Sequence, residues 1–437
     1  MIRFTGGELL LLICRMDART LTAIFNSPGK RPTAIIMDPV LTIVACIYNV
    51  ERYLDQFFLS LIKQSLDFQR NIQLILIGDG CSDKSLPLCE EFQRKHPDNT
   101  LLISQQNMGL QRSRNRGLEY AKGKWIAFID PDDVLSPSYF DEAIRVGSSS
   151  ESTSMIVCRL IRFWDETPAR YGSDHLDYKF SQGPRLIDIT LEDQRLTQSS
   201  GASAIFKLDE INRLKLRFNP NLKRFDDGEF ICRYILDVPH PTIAISPESI
   251  YFYRQRSESE STSRGVSFDA CALLDVIQHG FIPLIRDFKS YDTARRLFLE
   301  KTILIELSWT LRRLISTSRR FDVDPSLLDK LWFALTSLFK NFQLEGLLQD
   351  IGSGFSSVER FGIIMNFFPD GARMKFKESA VAPPNNPATI YYFFDFQFAQ
   401  LNQRLGINDE THPSALFFAD RYFLSRSVVI GPNSKAA

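Results

Sequence analysis

Residues 125–133 read Trp-Ile-Ala-Phe-Ile-Asp-Pro-Asp-Asp, a short apolar run that ends in Asp130, Asp132 and Asp133. Like charges this close repel, and holding them at a strand end costs free energy unless a cation neutralises them. Asp130 and Asp132 lie two positions apart, so in extended backbone their side chains face the same way. Such an Asp-x-Asp pair suits a hard divalent ion carrying the phosphates of a nucleotide. Taken alone, the same residues also read as a solvated acidic loop.

Other chemistry-bearing clusters follow apolar runs in the same way. Tyr48-Asn49 follows Leu41–Ile47, and Gly78-Asp79-Gly80 follows Ile72–Ile77. Asp226, Asp227 and Glu229 stand in the segment 222–236, whose pattern predicts a helix. Residues 226 and 227 do not share a helix face, so only one of the pair should point into a cleft.

The elements that must carry these clusters alternate. Leu41–Asn49 reads as a buried strand rich in β-branched residues. An amphipathic helix follows from about Glu51, with Tyr53, Leu54, Phe57, Phe58, Leu61 and Ile62 on one stripe. Further strands are predicted at 72–77, 101–104 and 125–130, with helices at 82–96 and 110–122, the latter closed by Gly123. This alternation predicts a mostly parallel sheet with helices on both faces, in which ligands bind beyond the carboxyl ends of the strands. The clusters at 48–49, 79–80 and 130–133 all occupy that position. Beyond 141 the pattern is mixed, with strands predicted at 155–163 and 250–254, and from Ser267 onward it turns helical. Asp324-Pro325 reads as a helix start, and the proline-rich run 382–387 as a linker or loop.

Bulk properties narrow the class. The chain has 437 residues and a formal net charge of zero, from 52 basic and 52 acidic side chains. That balance gives no support to nucleic acid as a partner. The seven cysteines are scattered and lack Cys-x-x-Cys spacing, which argues against a zinc site or a disulfide framework and for a reducing, cytoplasmic compartment. No window approaches the roughly 18 apolar residues of a membrane span. The apolar run 9–14 is far shorter and lacks a convincing cleavage site. Residues 1–37 read as a poorly ordered leader, and Met16 and Met37 are alternative starts.

Taken in order, these motifs resemble family 2 glycosyltransferases of the GT-A fold, the bacterial cell-surface polysaccharide type. Ile43 to Tyr53 is similar to that family's first strand and helix start. Ile77-Gly78-Asp79-Gly80-Cys81-Ser82-Asp83 resembles its Asp-Asp-Gly-Ser-x-Asp signature. Gln106-Asn107-Met108-Gly109-Leu110 and Ser113-Arg114-Asn115-Arg116-Gly117-Leu118 resemble its asparagine-glycine turn and the helix after it. Asp130-Pro131-Asp132-Asp133 matches its Asp-Ser-Asp-Asp, and Phe225-Asp226-Asp227-Gly228-Glu229-Phe230 its acidic pair before an aromatic. Tyr251-Phe252-Tyr253-Arg254, with 261–264 behind it, resembles the closing segment of the domain.

The resemblance implies an α/β domain of the GT-A type, a Rossmann-like mixed sheet at 38–265. Its nucleotide-sugar half would be 38–140 and its acceptor half 141–265; beyond the resemblance, the helical pattern of the tail reads as an accessory region at 266–437 docked on the core. It implies an inverting, metal-dependent transfer of sugar from a nucleotide-diphospho-sugar to a hydroxyl of a glycan, polysaccharide or lipid-linked acceptor. Asp132 would be the Mn²⁺ or Mg²⁺ ligand, with Asp130 on the metal or the ribose. Asp79 would read the base and Tyr48 stack near it, while Arg114 would meet the phosphates or anchor its helix. Asp227 would be the catalytic base. Arg254 and Arg256 are candidates to cover the diphosphate.

Two departures stand out: Gly78 replaces the first Asp of the signature, and Pro131 replaces the usual serine. The competing reading is a non-catalytic nucleotide-sugar-binding relative or an interaction protein. In the tail, Ile303, Leu304, Leu307, Leu311, Leu314 and Ile315 form an apolar helical stripe near Arg312, Arg313, Arg319 and Arg320. That pattern reads as a packed helix, with peripheral contact at an anionic membrane surface as the alternative.

Overall fold

The computed structural model describes residues 39–343 apart from 165–169, 174–175, 192–195, 240, 256–269 and 317–324. The leader, Arg256, the 261–264 segment, Arg319, Arg320 and the proline-rich run therefore lie outside the described residues, as do the side chains of residues 310–316. The chain divides into two compact units, 1–265 and 266–437.

In the first unit, the strands β1 (Leu41–Ile47), β2 (Ile72–Asp79), β3 (Thr100–Gln105) and β4 (Trp125–Phe128) pair in parallel in the order β3-β2-β1-β4. β1 has neighbours on both edges and helices against the sheet, so nearly every residue of Leu-Thr-Ile-Val-Ala-Cys-Ile is buried. The longer helices between them are α1 (Leu54–Ile62), α2 (Ser85–Lys95) and α3 (Leu110–Leu118). α1 buries Leu54, Phe57, Phe58 and Leu61 at helical spacing, and Phe58 stacks on Phe92 of α2 with centroids 4.0 Å apart. α3 packs on β1 and β2. It comes close because Gly117 has no side chain: a Cβ there would lie 2.3 Å from Val44 Cγ1.

The sheet then becomes mixed. β5 (Val134–Leu135) is followed by α4 (Tyr139–Gly147), β6 (Thr153–Trp164), β7 (Arg170–Ser173), β8 (Arg185–Asp188) and β9 (Ala204–Lys207). α5 (Leu208–Leu214), α6 (Asp226–Asp237) and β10 (Thr242–Gln255) complete the described part of this unit. β9 lies antiparallel between β4 and β6, which continues the parallel half into the later strands of the same sheet, and β10 runs parallel to β6. Four-residue β9 carries no alternation that would mark it in the sequence.

Two local expectations change. β4 ends at Phe128, and Asp130–Asp133 form a turn closed by a bond from Asp133 N to Asp130 O at 3.1 Å. Pro131 occupies the second turn position, where its fixed φ is favoured, so the carboxylates leave a turn and not an extended strand. The helix read from 222 starts at Asp226, because Phe225 takes a left-handed φ of +61° that breaks the run before it.

The second unit contains α7 (Ala270–Val276), α8 (Ile282–Asp287), α9 (Thr293–Ser316) and α10 (Pro325–Phe339), with α7 and α8 packed on α10. Ile303, Leu304 and Leu307 of α9 are fully buried. Among the described residues no helix is long and apolar enough to cross a membrane.

Candidate active site

The parallel register sets the carboxyl ends of three strands side by side. Ile47 pairs with Gly78, Gly78 with Ser104 and Asp79 with Gln105. Tyr48 follows β1 with about half its surface exposed, at 48%. Asn49 takes a φ of +51°, and its Oδ1 accepts from Ser82 N at 2.8 Å. Glu51 and Asp83 then cross-tie the loops: Glu51 N donates to Asp83 Oδ2, and Lys84 N donates to Glu51 Oε2.

Asp79 is buried, and its carboxylate gathers the next loop. Oδ1 accepts from Gln105 Nε2 and Met108 N, and Oδ2 accepts from Gly109 N at 3.0 Å. Gly80 must be glycine: its φ is +74°, and a Cβ would stand 2.7 Å from Asn107 N. Beside it, a Cβ on Gly78 would point at Leu86 Cδ1 3.0 Å away, so part of the room for the missing signature carboxylate is taken by α2.

Across this shelf, Arg114 of α3 collects carboxylates from two distant parts of the chain. Its Nη1 donates to Asp227 Oδ1 at 2.5 Å and to Asp226 Oδ2 at 3.1 Å, while Nη2 reaches Asp130 Oδ1 at 3.4 Å. The guanidinium lies over the ring of Phe218, 5.1 Å from its centroid. Phe218 stacks on Phe230 at 4.1 Å and meets Phe128 edge-on at 4.8 Å, so an aromatic floor supports the cation. The loop bearing Phe218 is pinned to α3 by Asn115, which donates to and accepts from the Phe218 backbone at 2.8 Å each way.

The charges shape one another. Burial alone would lower the Arg114 pKa, but Asp227, Asp130 and Asp226 together hold it above its ordinary range. Burial pushes Asp130 up to about 7, with Asp132, Asp227 and Asp226 adding to the rise and Arg114 opposing it. Burial also pushes Asp226 up to about 6, reinforced by Asp227. Three carboxylates around one guanidinium leave the cluster short of positive charge.

The three aspartates of the 130–133 turn face different surroundings. Asp133 is buried: Oδ2 accepts from Tyr251 Oη at 2.7 Å, and Oδ1 accepts from Arg254 N at 2.7 Å. Burial holds its pKa well above the usual carboxylate range. Asp132 is only half-buried, and its backbone carbonyl accepts from Arg254 Nε at 2.6 Å. Arg254 is itself buried, lies between the rings of Tyr53 and Phe163, and donates to Gln56 Oε1 at 2.6 Å. β10 thus braces the turn from below.

The structure brings Asp130, Arg114, Asp226 and Asp227 into contact, and it places Asp79 and Tyr48 along the adjoining strand ends. Sequence reasoning missed the brace from Tyr251 and Arg254 to Asp133 and Asp132. It also missed Gly201, whose N–H donates to Asp227 Oδ2 at 2.9 Å. The one available signal for Gly201 was the run of small residues at 199–203, a composition that permits close backbone approach.

Residues 42–209 match Glycosyl transferase family 2. The minor teichoic acid biosynthesis protein GgaB of Bacillus subtilis (strain 168) is 31% identical over 274 residues, covering 62% of this chain and 29% of that protein. GgaA of the same organism is 28% identical over 257 residues, covering 58% of this chain and 56% of that protein. The chain therefore spans less than two thirds of either relative. In fold, it is similar to S. aureus TarS 1-349 crystallised with UDP-GlcNAc, with a TM-score of 0.58, 16% identity, and coverage of 84% of this chain and 92% of that one.

Proposed function

We propose, from the premise that residues 42–209 belong to glycosyl transferase family 2, that the chain moves a sugar from a nucleotide-diphospho-sugar to an acceptor hydroxyl with inversion. The observation that carries this reading is the meeting of Asp130, Asp226 and Asp227 on the buried guanidinium of Arg114, at the carboxyl edge of the parallel strands. Asp226 and Asp227 lie beyond the matched range, so their assignment rests on that geometry and on the sequence motif. The relatives' part in teichoic acid biosynthesis and the UDP-GlcNAc held by TarS support a nucleotide-sugar donor and a cell-surface glycan or lipid-linked acceptor.

Asp130 and Asp132 offer hard oxygen donors, the chemistry of Mn²⁺ or Mg²⁺. Among the described residues no group of three or more His, Cys, Asp or Glu side chains is arranged to hold a metal ion by itself. The residues therefore fit an ion held by one or two protein carboxylates, with substrate oxygens and water completing its shell. Asp132 would be the principal ligand and Asp130 the second. When bound, the ion offsets the charge that builds on the departing diphosphate.

The chain's own groups do the rest. Tyr48 and Asp79 flank the nucleoside. Asp79 already accepts three hydrogen bonds, so of its roughly four lone-pair sites about one remains for a base N–H. Arg114 holds the Asp227 carboxylate in place, and Asp227 takes the acceptor proton as the hydroxyl attacks the anomeric carbon. Asp226 is the more buried of the pair, with 13% side-chain exposure against 24%, and serves the cluster's electrostatics.

Nucleotide release from a panel of UDP-, GDP- and TDP-sugars, with Mn²⁺ and with a chelator, tests the reading. Metal-dependent release from one nucleotide class is the expected result. Absence of both release and thermal stabilisation across the panel would overturn it.

A further inference from the structure

We infer that Gly201 is a positioning residue for Asp227, and that its lack of a side chain is what brings its backbone N–H onto the carboxylate. This rests on the reading of Asp227 as the base. The two carboxylate oxygens are held from two sides: Oδ1 by Arg114 Nη1 at 2.5 Å and Oδ2 by Gly201 N at 2.9 Å. Opposed donors of this kind fix the rotation of the carboxylate about its Cβ–Cγ bond. About two of its roughly four lone-pair sites stay open for an incoming hydroxyl.

A side chain at 201 would press on the Asp227 carboxylate. A Cβ there would lie 2.9 Å from Asp227 Cγ and 3.0 Å from each carboxylate oxygen. The far atoms are the reactive group itself, so any relief must come from moving it.

The loop that presents Gly201 is braced from the interior. Gln198 is 1% exposed, and its Nε2 donates to Ser200 O at 2.7 Å and to Ser203 Oγ at 3.1 Å. Its Oε1 accepts from the buried Lys179 Nζ at 2.5 Å. Ala204 N donates to Gly201 O at 3.2 Å, which joins the loop to the start of β9. The amide is therefore held against the sheet, and it in turn holds Asp227.

The test compares Gly201→Ala, Asp227→Asn and the double variant in the full chain. Nucleotide release from UDP-GlcNAc, or from whichever sugar of the panel reacts fastest, is followed with Mn²⁺ present. Gly201→Ala should lower kcat by up to about a hundredfold, the scale of a ~1 Å misplacement. Donor KM and donor-induced thermal stabilisation should stay unchanged. In the Asp227→Asn background the same change should alter kcat by less than about twofold, because coupled residues do not add. Gln198→Ala, which inserts no atoms, should show a smaller loss that also vanishes in that background, and it decides the matter if Gly201→Ala fails to fold. The inference is overturned if Gly201→Ala keeps wild-type kcat, or loses the same factor with and without Asp227. Wild-type turnover in Asp227→Asn would instead remove the base assignment, and the positioning role with it.

Discussion

Arg114 on α3 donates to Asp227 on α6 at 2.5 Å, from a side chain that keeps 4% of its surface. The pair spans 113 residues of sequence and ties the nucleotide half of the sheet to the helix that starts with the acidic pair. Arg114→Met should therefore be costly. Removing one partner of a buried ion pair leaves the others uncompensated, typically about 3–5 kcal/mol. Chemical denaturation should show that loss at neutral pH. Asp226 is already raised to about 6, and without Arg114 it rises further. A carboxylate with a raised folded pKa binds more protons folded than unfolded, so stability falls as pH rises through that window. The deficit of the variant should accordingly shrink as pH is lowered from about 7 toward about 5. A deficit independent of pH would show that lost packing on Phe218 dominates.

Asp132→Asn should abolish metal-supported nucleotide release while leaving the fold intact. The residue is half-buried, the substitution keeps its size, and the bond from Arg254 Nε to its backbone carbonyl survives it. Near-normal turnover with Mn²⁺ present would remove the metal-ligand assignment.

Asp227→Asn should lower turnover by about a hundredfold or more, the scale of losing a general base. Titration calorimetry with the donor should show an affinity close to wild type, since the residue is assigned to the acceptor side. An equal loss of donor affinity would place Asp227 in the donor site.

Tyr251→Phe removes the hydroxyl that donates to Asp133 and accepts from Asp130 N at 3.3 Å. A buried carboxylate oxygen is left without a partner, at a cost of about 1–3 kcal/mol. Thermal melting reads the loss directly. If the variant melts with the wild type, the Tyr251 brace adds nothing to the turn.

Gly117→Ala sets two effects against each other. Gly117 lies in the last turn of α3, where a better helix former gains at most the roughly 1 kcal/mol of an interior position. The new Cβ would sit 2.3 Å from Val44 Cγ1, in a contact between α3 and β1 that has no slack. Overpacking of this kind costs about 1–3 kcal/mol and should win. A melting temperature above wild type would mean that α3 can shift away from the sheet.

Strand and helix periodicity carried most of the first half of the domain. The apolar runs at 41–47 and 72–77 could only be buried strands, and the stripe of Phe57, Phe58 and Leu61 only a helix face, because burial imposes periods of 2.0 and 3.6 on any chain. The order of those elements already put Asp79 and Asp130 at one edge of a parallel sheet. The pairing of distant residues was not legible. No local pattern says that Arg114 meets Asp226 and Asp227, that Asp133 turns inward to Tyr251, or that Gly201 offers its amide to Asp227. The Gly201 contact exists because β9 inserts antiparallel between β4 and β6 with the 197–203 loop just ahead of it, and the Asp133 contact because β5 pairs with β10. A four-residue strand held by its neighbours has too little periodicity of its own to announce its place. Local sequence thus set which groups could do chemistry, and long-range strand pairing alone decided which of them touch.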